Sequence, residues 1–177
     1  EFTNPTQING TRSILYPSIS LPLQTSFGYV TPKVGMHMTH YNFDNTNTVL
    51  GDQNRLVPIL SAESGVVFER DMQVSGNSMT QTLEPKIFYV YIPTRNQNSL
   101  PVFDSALQNT NFATLYTENQ FSGSDRINDA NQVTTGVTSR ILQPNGVERL
   151  RAGVAQRFYF NTQEVTLPGV APRGSNT

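Results

Sequence analysis

Few side chains in this sequence combine the type and the spacing that chemistry requires. His37 and His40, in the stretch GMHMTH, come nearest to a pair of metal ligands. Residues three apart in an extended strand point to opposite faces of a sheet, so the two imidazoles are not expected to share an ion. The chain has no cysteine, and it lacks the usual nucleophile, phosphate-binding and zinc-protease motifs. We therefore expect no catalytic residue, no metal and no cofactor.

A second group of candidate ligands lies in the stretch FSGSDRINDANQ, where side chains with acidic or amide oxygens cluster. Asp125, Asn128, Asp129 and Asn131 could coordinate calcium through these oxygens. The same side chains can instead bond neighbouring backbone amides, as Asx-turns do, and we favour this second interpretation. Asp125 and Arg126 could add a charge pair that anchors a loop. The stretch is therefore predicted to stabilise a loop rather than to bind a metal.

Composition limits the classes of protein that need to be considered. The chain has 177 residues and a formal net charge of −1, so one domain is expected and nucleic acid is not an expected partner. No run approaches the roughly 20 apolar residues of a spanning helix, although barrel strands conceal their hydrophobicity by alternation. The sequence starts at Glu1 without a Met or a signal region, so we expect a processed product or an excised piece.

Alternating polar and apolar residues predict an all-β fold of six strands. Their ranges are 12–23, 29–43, 55–70, 79–92, 129–142 and 148–160. These strands are long, because soluble strands have a mode of about 5–6 residues and a tilted membrane-spanning strand needs about 9–11. The pattern favours six strands of a larger antiparallel, up-and-down transmembrane β-barrel.

The predicted connections alternate between short and long. Short links fall near 24–28, 71–78 and 143–147, and longer polar links fall at 3–11, 44–54 and 93–128. Short turns at one end and long loops at the other are typical of outer-membrane barrels. The link 93–128 is rich in large apolar residues, and NFATLYTE (111–118) predicts a short helical turn capped by Asn111. Those apolar side chains need burial in a core of the loop, in the barrel mouth or against another protein.

The two faces of each strand differ in chemistry. An arginine facing lipid at mid-depth costs about 2–4 kcal/mol, so charged faces are expected to line a wet lumen. The predicted lipid-facing residues are Leu83, Ile87, Tyr89, Leu150, Val154 and Phe158. The predicted lumen-facing residues are Glu63, Glu84, Lys86, Arg140, Arg149, Arg151 and Arg157.

Alternation by itself leaves other structures open. A soluble β-sandwich, as in a binding or adhesion module, would show the same pattern with its charged faces in solvent. The recurrence of charges of both signs on one face favours the barrel. A generic porin would also satisfy the pattern. Prolines are unfavourable in all of these structures, because each one removes a backbone N–H donor from the hydrogen bonds between strands. The prolines in or near the predicted strands are Pro17, Pro22, Pro32, Pro58 and Pro85.

Several stretches resemble the LPS-assembly outer-membrane protein family LptD. The strongest are LEPKIFYVYIPTRNQNSLPVFDSA (83–106), FSGSDRINDANQVTTGVTSR (121–140) and ERLRAGVAQRFYF (148–160). ILYPS (14–18), YVTPKVG (29–35) and SGVVFERD (64–71) resemble preceding strands of the same family. The likeness runs through nearly the whole chain in the order of the family.

This resemblance implies a location and a function. The chain would be an interior part of the C-terminal β-barrel domain, in the cell outer membrane among its lipids, with 93–128 as a long extracellular loop. Its partners would be lipopolysaccharide and an LptE-like lipoprotein plug, and no bond would be made or broken. The residues expected to contact the plug or hold the loop are Phe121, Ser122, Gly123, Asp125, Arg126, Asn131 and Gln132.

Overall fold

The computed structural model describes residues 10–43 and 51–175, and every strand in these residues belongs to one antiparallel sheet. The strands are β1 (Gly10–Leu15), β2 (Ser18–Ser20), β3 (Leu23–Gln24), β4 (Gly28–Phe43), β5 (Gln53–Val66), β6 (Phe68–Val74), β7 (Asn77–Ile92), β8 (Ala130–Leu142) and β9 (Glu148–Tyr159). A 3-10 helix, Thr114–Tyr116, lies between β7 and β8. No helix in this described part of the chain has the length and hydropathy needed to cross a bilayer. The all-β prediction is confirmed.

The nine strands lie in six rows across the sheet, and each row corresponds to one of the six strands that the alternation predicts. The sheet order is β1-β4-β5-β7-β8-β9, while β2 and β3 continue the row of β1 along β4, and β6 continues that of β5 along β7. The predicted strand 12–23 is broken into three pieces because Pro17 and Pro22 fall in its gaps. Pro32, Pro58 and Pro85, in contrast, keep paired positions inside long strands.

Short turns join successive strands at one end of the sheet, where the strands begin and end. Ser75 and Gly76 both have positive φ, of 51° and 80°, and form a two-residue turn between β6 and β7. Such a turn matches the twist of a hairpin. Between β8 and β9, the Gly146 amide donates to the Gln143 carbonyl at 2.8 Å, and Gly146 itself has a φ of 82°. The short link predicted at 143–147 is therefore confirmed, and it is a tight turn.

The long connections lie at the opposite ends of the strands. Residues 93–129 join β7 to β8 and fold back across one face of the sheet; we call them the covering loop. The predicted helical turn is present, and the Asn111 side chain accepts the Thr114 amide at 3.0 Å. The predicted link 44–54 lies mostly outside the described residues, as does 3–9 of the link 3–11, whose last two residues belong to β1.

The hydrophobic core lies between the covering loop and the sheet. It is a cluster of apolar residues from β5, β7 and the loop that ends at β8: Val57, Ile59, Phe88, Val90, Ile92, Ile127 and Ala130. A second cluster joins Tyr41 and Phe43 of β4 to Leu100 of the loop. We call the loop-covered side the inner face and the other side the outer face. No second sheet packs on the outer face in 10–43 or 51–175, so these residues do not form a two-sheet sandwich by themselves.

Candidate functional site

The outer face carries an uncovered apolar surface. Leu150 and Val154 are 56% and 67% exposed, and Leu83, Ile87 and Tyr89 are also exposed, while Phe158 is half-buried. The register joins Val154 to Val137 and Phe158 to Val133, so apolar rows continue from strand to strand. The six residues predicted to face lipid therefore share one side of the sheet, which is mostly apolar but also carries Gln156 of β9 and the bonded pair Arg70–Gln81 near the turns.

The inner face holds paired charges. Lys86 Nζ lies 2.8 Å from Glu63 Oε2, and Arg140 forms an ion pair with Glu84 on the neighbouring strand. Arg151 pairs with Glu148 at 2.9 Å. Opposite charges on neighbouring strands stabilise a sheet, whereas like charges at the same positions would destabilise it. The structure thus brings five of the seven predicted lumen-facing residues into cross-strand or local pairs: Glu63, Glu84, Lys86, Arg140 and Arg151.

Two predicted inner arginines have different surroundings. Arg157 donates through Nη2 to the carbonyl of Thr114 at 2.8 Å and also to the carbonyl of Leu115, so it holds the covering loop. Arg149 lies in a bulge, because the ladder passes from Leu150 opposite Ile141 directly to Glu148 opposite Leu142. Its side chain is exposed.

The two ends of the covering loop, 93–106 and 121–129, form its root, which is anchored by Arg55 of β5. Arg55 Nη1 donates to Gln97 Oε1 at 2.9 Å and to the carbonyl of Asp125. Its Nη2 donates to Thr39 Oγ1 at 2.9 Å and to the Ser124 carbonyl at 2.6 Å. One planar guanidinium therefore joins the outgoing and returning parts of the loop to two wall strands.

Asp125 is the acidic centre of the root and is fully buried. Its Oδ2 accepts the amides of Phe103 and Asp104, both at 2.6 Å, and its Oδ1 pairs with Arg12 of β1. The predicted Asp125–Arg126 charge pair is wrong, because the Arg126 guanidinium donates to the Leu100 carbonyl at 2.9 Å instead. Burial lowers the pKa of Arg126 from its ordinary value. Burial has this effect because it disfavours the charged form of the guanidinium.

Other oxygens of the Asx group also serve the backbone. Asn128 Oδ1 accepts the Gln120 amide at 2.7 Å. Asp129 accepts the amides of Glu164 and Val165, each at 2.9 Å, and thereby attaches the segment after β9. The prediction that these oxygens bond backbone amides is confirmed for Asp125, Asn128 and Asp129. The predicted Asx-turns are wrong, because the amides belong to residues 8 to 36 positions away. In the described residues no group of His, Asp or Glu has metal-binding geometry.

The middle of the loop, residues 107–120, forms its tip and lies over the inner face with every residue at least partly exposed. Glu118 Oε1 accepts the Ser61 hydroxyl at 2.6 Å, and Oε2 accepts Tyr16 Oη at 2.9 Å and Lys33 Nζ at 3.1 Å. Burial acts to raise the pKa of Glu118, but the hydrogen bonds from Ser61, Lys33 and Tyr16 outweigh it and lower the pKa. Glu118 is therefore charged at neutral pH.

An aromatic ring gives the tip its second contact with the sheet. Tyr116 packs against Phe88 with ring centroids 6.4 Å apart, and Lys86 Nζ lies 4.5 Å from the Tyr116 centroid. The Tyr116 hydroxyl lies where a Cβ on Gly136 would be, so only glycine leaves room for it. The Leu115 carbonyl also accepts Thr134 Oγ1 at 2.7 Å.

The residues predicted to contact a partner or hold the loop lie mostly in the root. Phe121, Asp125, Arg126 and Gln132 are buried within the chain, which makes them part of its own packing. The remaining three are Ser122, which bonds Ala106; Gly123, with a φ of 68°; and Asn131, which bonds Tyr89 and Asn161. Their contact with a partner stays a prediction.

Sequence reasoning missed the wall residues that hold the loop. Arg12, Lys33, Arg55 and Tyr16 were not singled out, and neither was Glu118 in the tip. A usable signal existed for Arg55, which is the one charge on the otherwise apolar inner side of β5 between Gln53 and Ile59. His37 and His40 lie on opposite faces, as predicted, with His37 buried and His40 exposed beside Asn54.

The fold and the inner face together define a class. The chain is part of an antiparallel β-sheet protein that leaves one face apolar and uncovered and closes its charged face with its own loop. The profile of a family described as LPS transport system D, LptD, matches residues 1–177.

Curated relatives agree with this match. The LPS-assembly protein LptD of Thiobacillus denitrificans is 48% identical over 179 residues, covering 99% of this chain and 24% of that protein. The LPS-assembly protein LptD of Nitrosospira multiformis is 51% identical over 168 residues, covering 94% and 18% respectively. The chain therefore belongs to the LptD family, which confirms the resemblance seen in the sequence. It spans about a quarter or less of the length of these relatives.

Proposed function

We propose that this chain is a wall segment of an outer-membrane β-barrel that inserts lipopolysaccharide into the outer leaflet, without catalysing a reaction. The observation that supports it is the contrast between the two faces of one sheet. The outer face exposes apolar side chains such as Val154 and Leu150, while the inner face carries ion pairs beneath the covering loop. Membrane barrels expose this chemistry to lipid and to an aqueous lumen respectively.

The covering loop supports a second part of the proposal, contact with a lipoprotein plug in the lumen. Phe103, Leu107 and Phe112 of the covering loop remain 55%, 55% and 43% exposed. Large apolar groups that a folded loop leaves exposed are typical of a surface that meets another protein. On this proposal the loop and its partner together close the lumen above the inner face.

The first test concerns the function of the whole protein. Cells in which the only copy of the complete gene can be switched off are compared with cells complemented by the wild-type gene. The amount of lipopolysaccharide reaching the cell surface is measured by antibody labelling of intact cells. We expect surface lipopolysaccharide to fall on depletion and to recover on complementation. Unchanged labelling after depletion would refute a role in lipopolysaccharide insertion.

The second test concerns the wall assignment. Val154→Arg places a charge on the outer face at mid-strand, with an expected cost of about 2–4 kcal/mol if that face meets lipid. Thr138→Arg is the matched control, because Thr138 lies on the inner face next to Val137, the partner of Val154. We expect Val154→Arg to reduce the folded whole protein in the outer membrane, and Thr138→Arg to be tolerated beside Glu84. Equal levels of the two variants would contradict the assignment of faces.

A generic porin is the alternative function. It would need the same wall, so the faces of the sheet do not distinguish the two. The family match favours lipopolysaccharide insertion, and the depletion experiment separates them, because loss of a diffusion porin leaves surface lipopolysaccharide unchanged.

A further inference from the structure

The carboxylate of Glu118 sits among donors that belong to the wall and not to the loop. Tyr16 follows β1, Lys33 lies in β4 and Ser61 lies in β5. Their donor atoms converge on the two oxygens of one carboxylate at distances from 2.6 to 3.1 Å. An ammonium and two hydroxyl groups in this arrangement suit any anionic group with several oxygens, including a phosphate.

The wall holds these three donors independently of the loop. Lys33 and Ser61 are direct partners in the β4–β5 ladder, so the backbone fixes their separation. The Tyr16 ring packs against His37 with centroids 5.6 Å apart, and Lys33 Nζ lies 5.2 Å from its centroid. Gly35 leaves the space that this ring needs, since a Cβ there would lie 2.6 Å from the ring. The donors would therefore stay together if Glu118 moved away.

The tip that carries Glu118 is less firmly held than the root. Residues 107–120 are all at least partly exposed, whereas 125–129 are all buried. Segments with few buried contacts open at lower free energy than the buried units to which they are attached. The tip can therefore leave the wall while Arg55 and Asp125 keep the root in place.

We infer that Tyr16, Lys33 and Ser61 form an anion-binding site in which Glu118 is an internal occupant that an anionic oxygen group of lipopolysaccharide replaces. The inference rests on the proposed function, which brings that ligand to the inner face. The shared chemistry is a phosphate or carboxylate group, so free phosphate is the other possible source. Binding and tip release are then coupled, because one site cannot hold both anions.

Two variants of the whole protein separate this inference from a purely structural ion pair. Glu118→Gln and Lys33→Met both break the Lys33–Glu118 pair, so a structural role predicts the same outcome for both. An anion site predicts opposite outcomes. Removing the internal competitor increases the fraction of open sites and tightens apparent binding, while removing the ammonium weakens it. Lys33→Arg keeps the charge and is expected to retain binding.

The measurement is equilibrium binding of purified lipopolysaccharide to the detergent-solubilised whole protein. We expect Glu118→Gln to tighten binding about tenfold, which corresponds to ~1.4 kcal/mol, and Lys33→Met to weaken it. Glu69→Gln is the matched control: it removes another carboxylate from the inner side, in β6 opposite Thr82, and should leave binding unchanged. Equal affinities in the Glu118 and Lys33 variants, or shifts in the same direction, would overturn the inference.

Hydrogen exchange of the tip supplies a second readout. Added lipopolysaccharide is expected to accelerate exchange of the Tyr116 amide, which donates to the Ala113 carbonyl, and to leave the root amides of Asp125 and Arg126 unchanged. The same exchange experiment is repeated with dephosphorylated lipopolysaccharide and with inorganic phosphate. Inorganic phosphate that opens the tip as well as the glycolipid does would reject the lipid as the source of the anion.

The two proposals fail in different ways. If wild-type protein restores surface lipopolysaccharide in depleted cells but the two variants bind alike, the anion site is wrong and the proposed function stands. If complementation with the wild type restores nothing, the proposed function itself is wrong.

Discussion

Replacing Arg55 by methionine should release the root of the covering loop. Methionine has a similar length but no donor, so four hydrogen bonds from the guanidinium are lost. The partners of the guanidinium are neutral oxygens, and each buried acceptor that loses its donor costs about 1–3 kcal/mol. We expect a total of about 3 kcal/mol, because Gln97 Oε1 keeps a second donor, the Ile127 amide at 3.2 Å. The carbonyl oxygens of Ser124 and Asp125 account for most of the cost.

Hydrogen exchange in the whole protein measures this effect locally. The amides of Asp125 and Arg126 both donate to Ser105 Oγ at 3.0 Å, so they exchange only when the root opens. A loss of about 3 kcal/mol corresponds to roughly 150-fold faster exchange, since each 1.36 kcal/mol is a factor of ten. Arg55→Lys retains the charge without the planar fork and should give an intermediate rate.

Arg70→Met is the matched control. Arg70 is an exposed arginine of β6 whose Nε donates to Gln81 Oε1 at 2.8 Å, far along the sheet from the loop root. The same substitution there should leave the exchange of Asp125 and Arg126 unchanged. Acceleration below about fivefold in Arg55→Met, or ~1 kcal/mol, would refute the view that this side chain holds the root closed.

Three further predictions concern single contacts of the loop, all measured by hydrogen exchange in the whole protein. Gly123→Ala should destabilise the root by at least ~1 kcal/mol, because φ is 68° and a Cβ would meet Asp104; unchanged root exchange would contradict this. Gly136→Val should accelerate exchange at Tyr116, whose hydroxyl occupies the space above the glycine, and spare the root; equal changes at both places would be inconsistent with it. The folded pKa of Glu118 is lowered, so its contribution is complete above the unfolded value of about 4.3 and is lost as pH falls through the folded value. Tip exchange, corrected for intrinsic rates, should rise only below about pH 4, and Glu118→Gln should remove that rise.

The strands and their faces were predictable because both follow from a local period. Side chains alternate across a strand, so the exposed Val154 and the loop-bound Arg157 could be assigned to opposite sides from parity alone. The breaks at Pro17 and Pro22 were less certain, because Pro58 and Pro85 have the same ring and stay inside paired strands. Position in the ladder decides between these outcomes, and a single sequence does not give it.

The loop contacts were not predictable in the same way, because they depend on tertiary proximity. Arg55 meets Asp125 across 70 positions of sequence, and Tyr16 meets Glu118 across 102. No periodic pattern connects such residues. The Asp125–Arg126 pair was predicted because the two residues are neighbours in the sequence. That prediction was wrong because the buried carboxylate of Asp125 pairs with Arg12 on a wall strand instead. The resemblance drew attention to Asp125 and Arg126, but it could not identify the side chains and carbonyl groups that they contact.

The contact of Glu118 is a polar part of the tip's attachment to the wall, and its chemistry suits a contact that the proposal requires to separate. An apolar contact of the same size would expose an adhesive surface each time it separated. Lys33, Ser61 and Glu118 can exchange their bonds for water, and a typical internal hydrogen bond contributes only about 0.5–1.5 kcal/mol net. The root differs because Asp125 is fully buried, so opening it would expose groups that packing has withdrawn from solvent. Under the proposed function, lipopolysaccharide is therefore expected to displace the tip and leave the root closed.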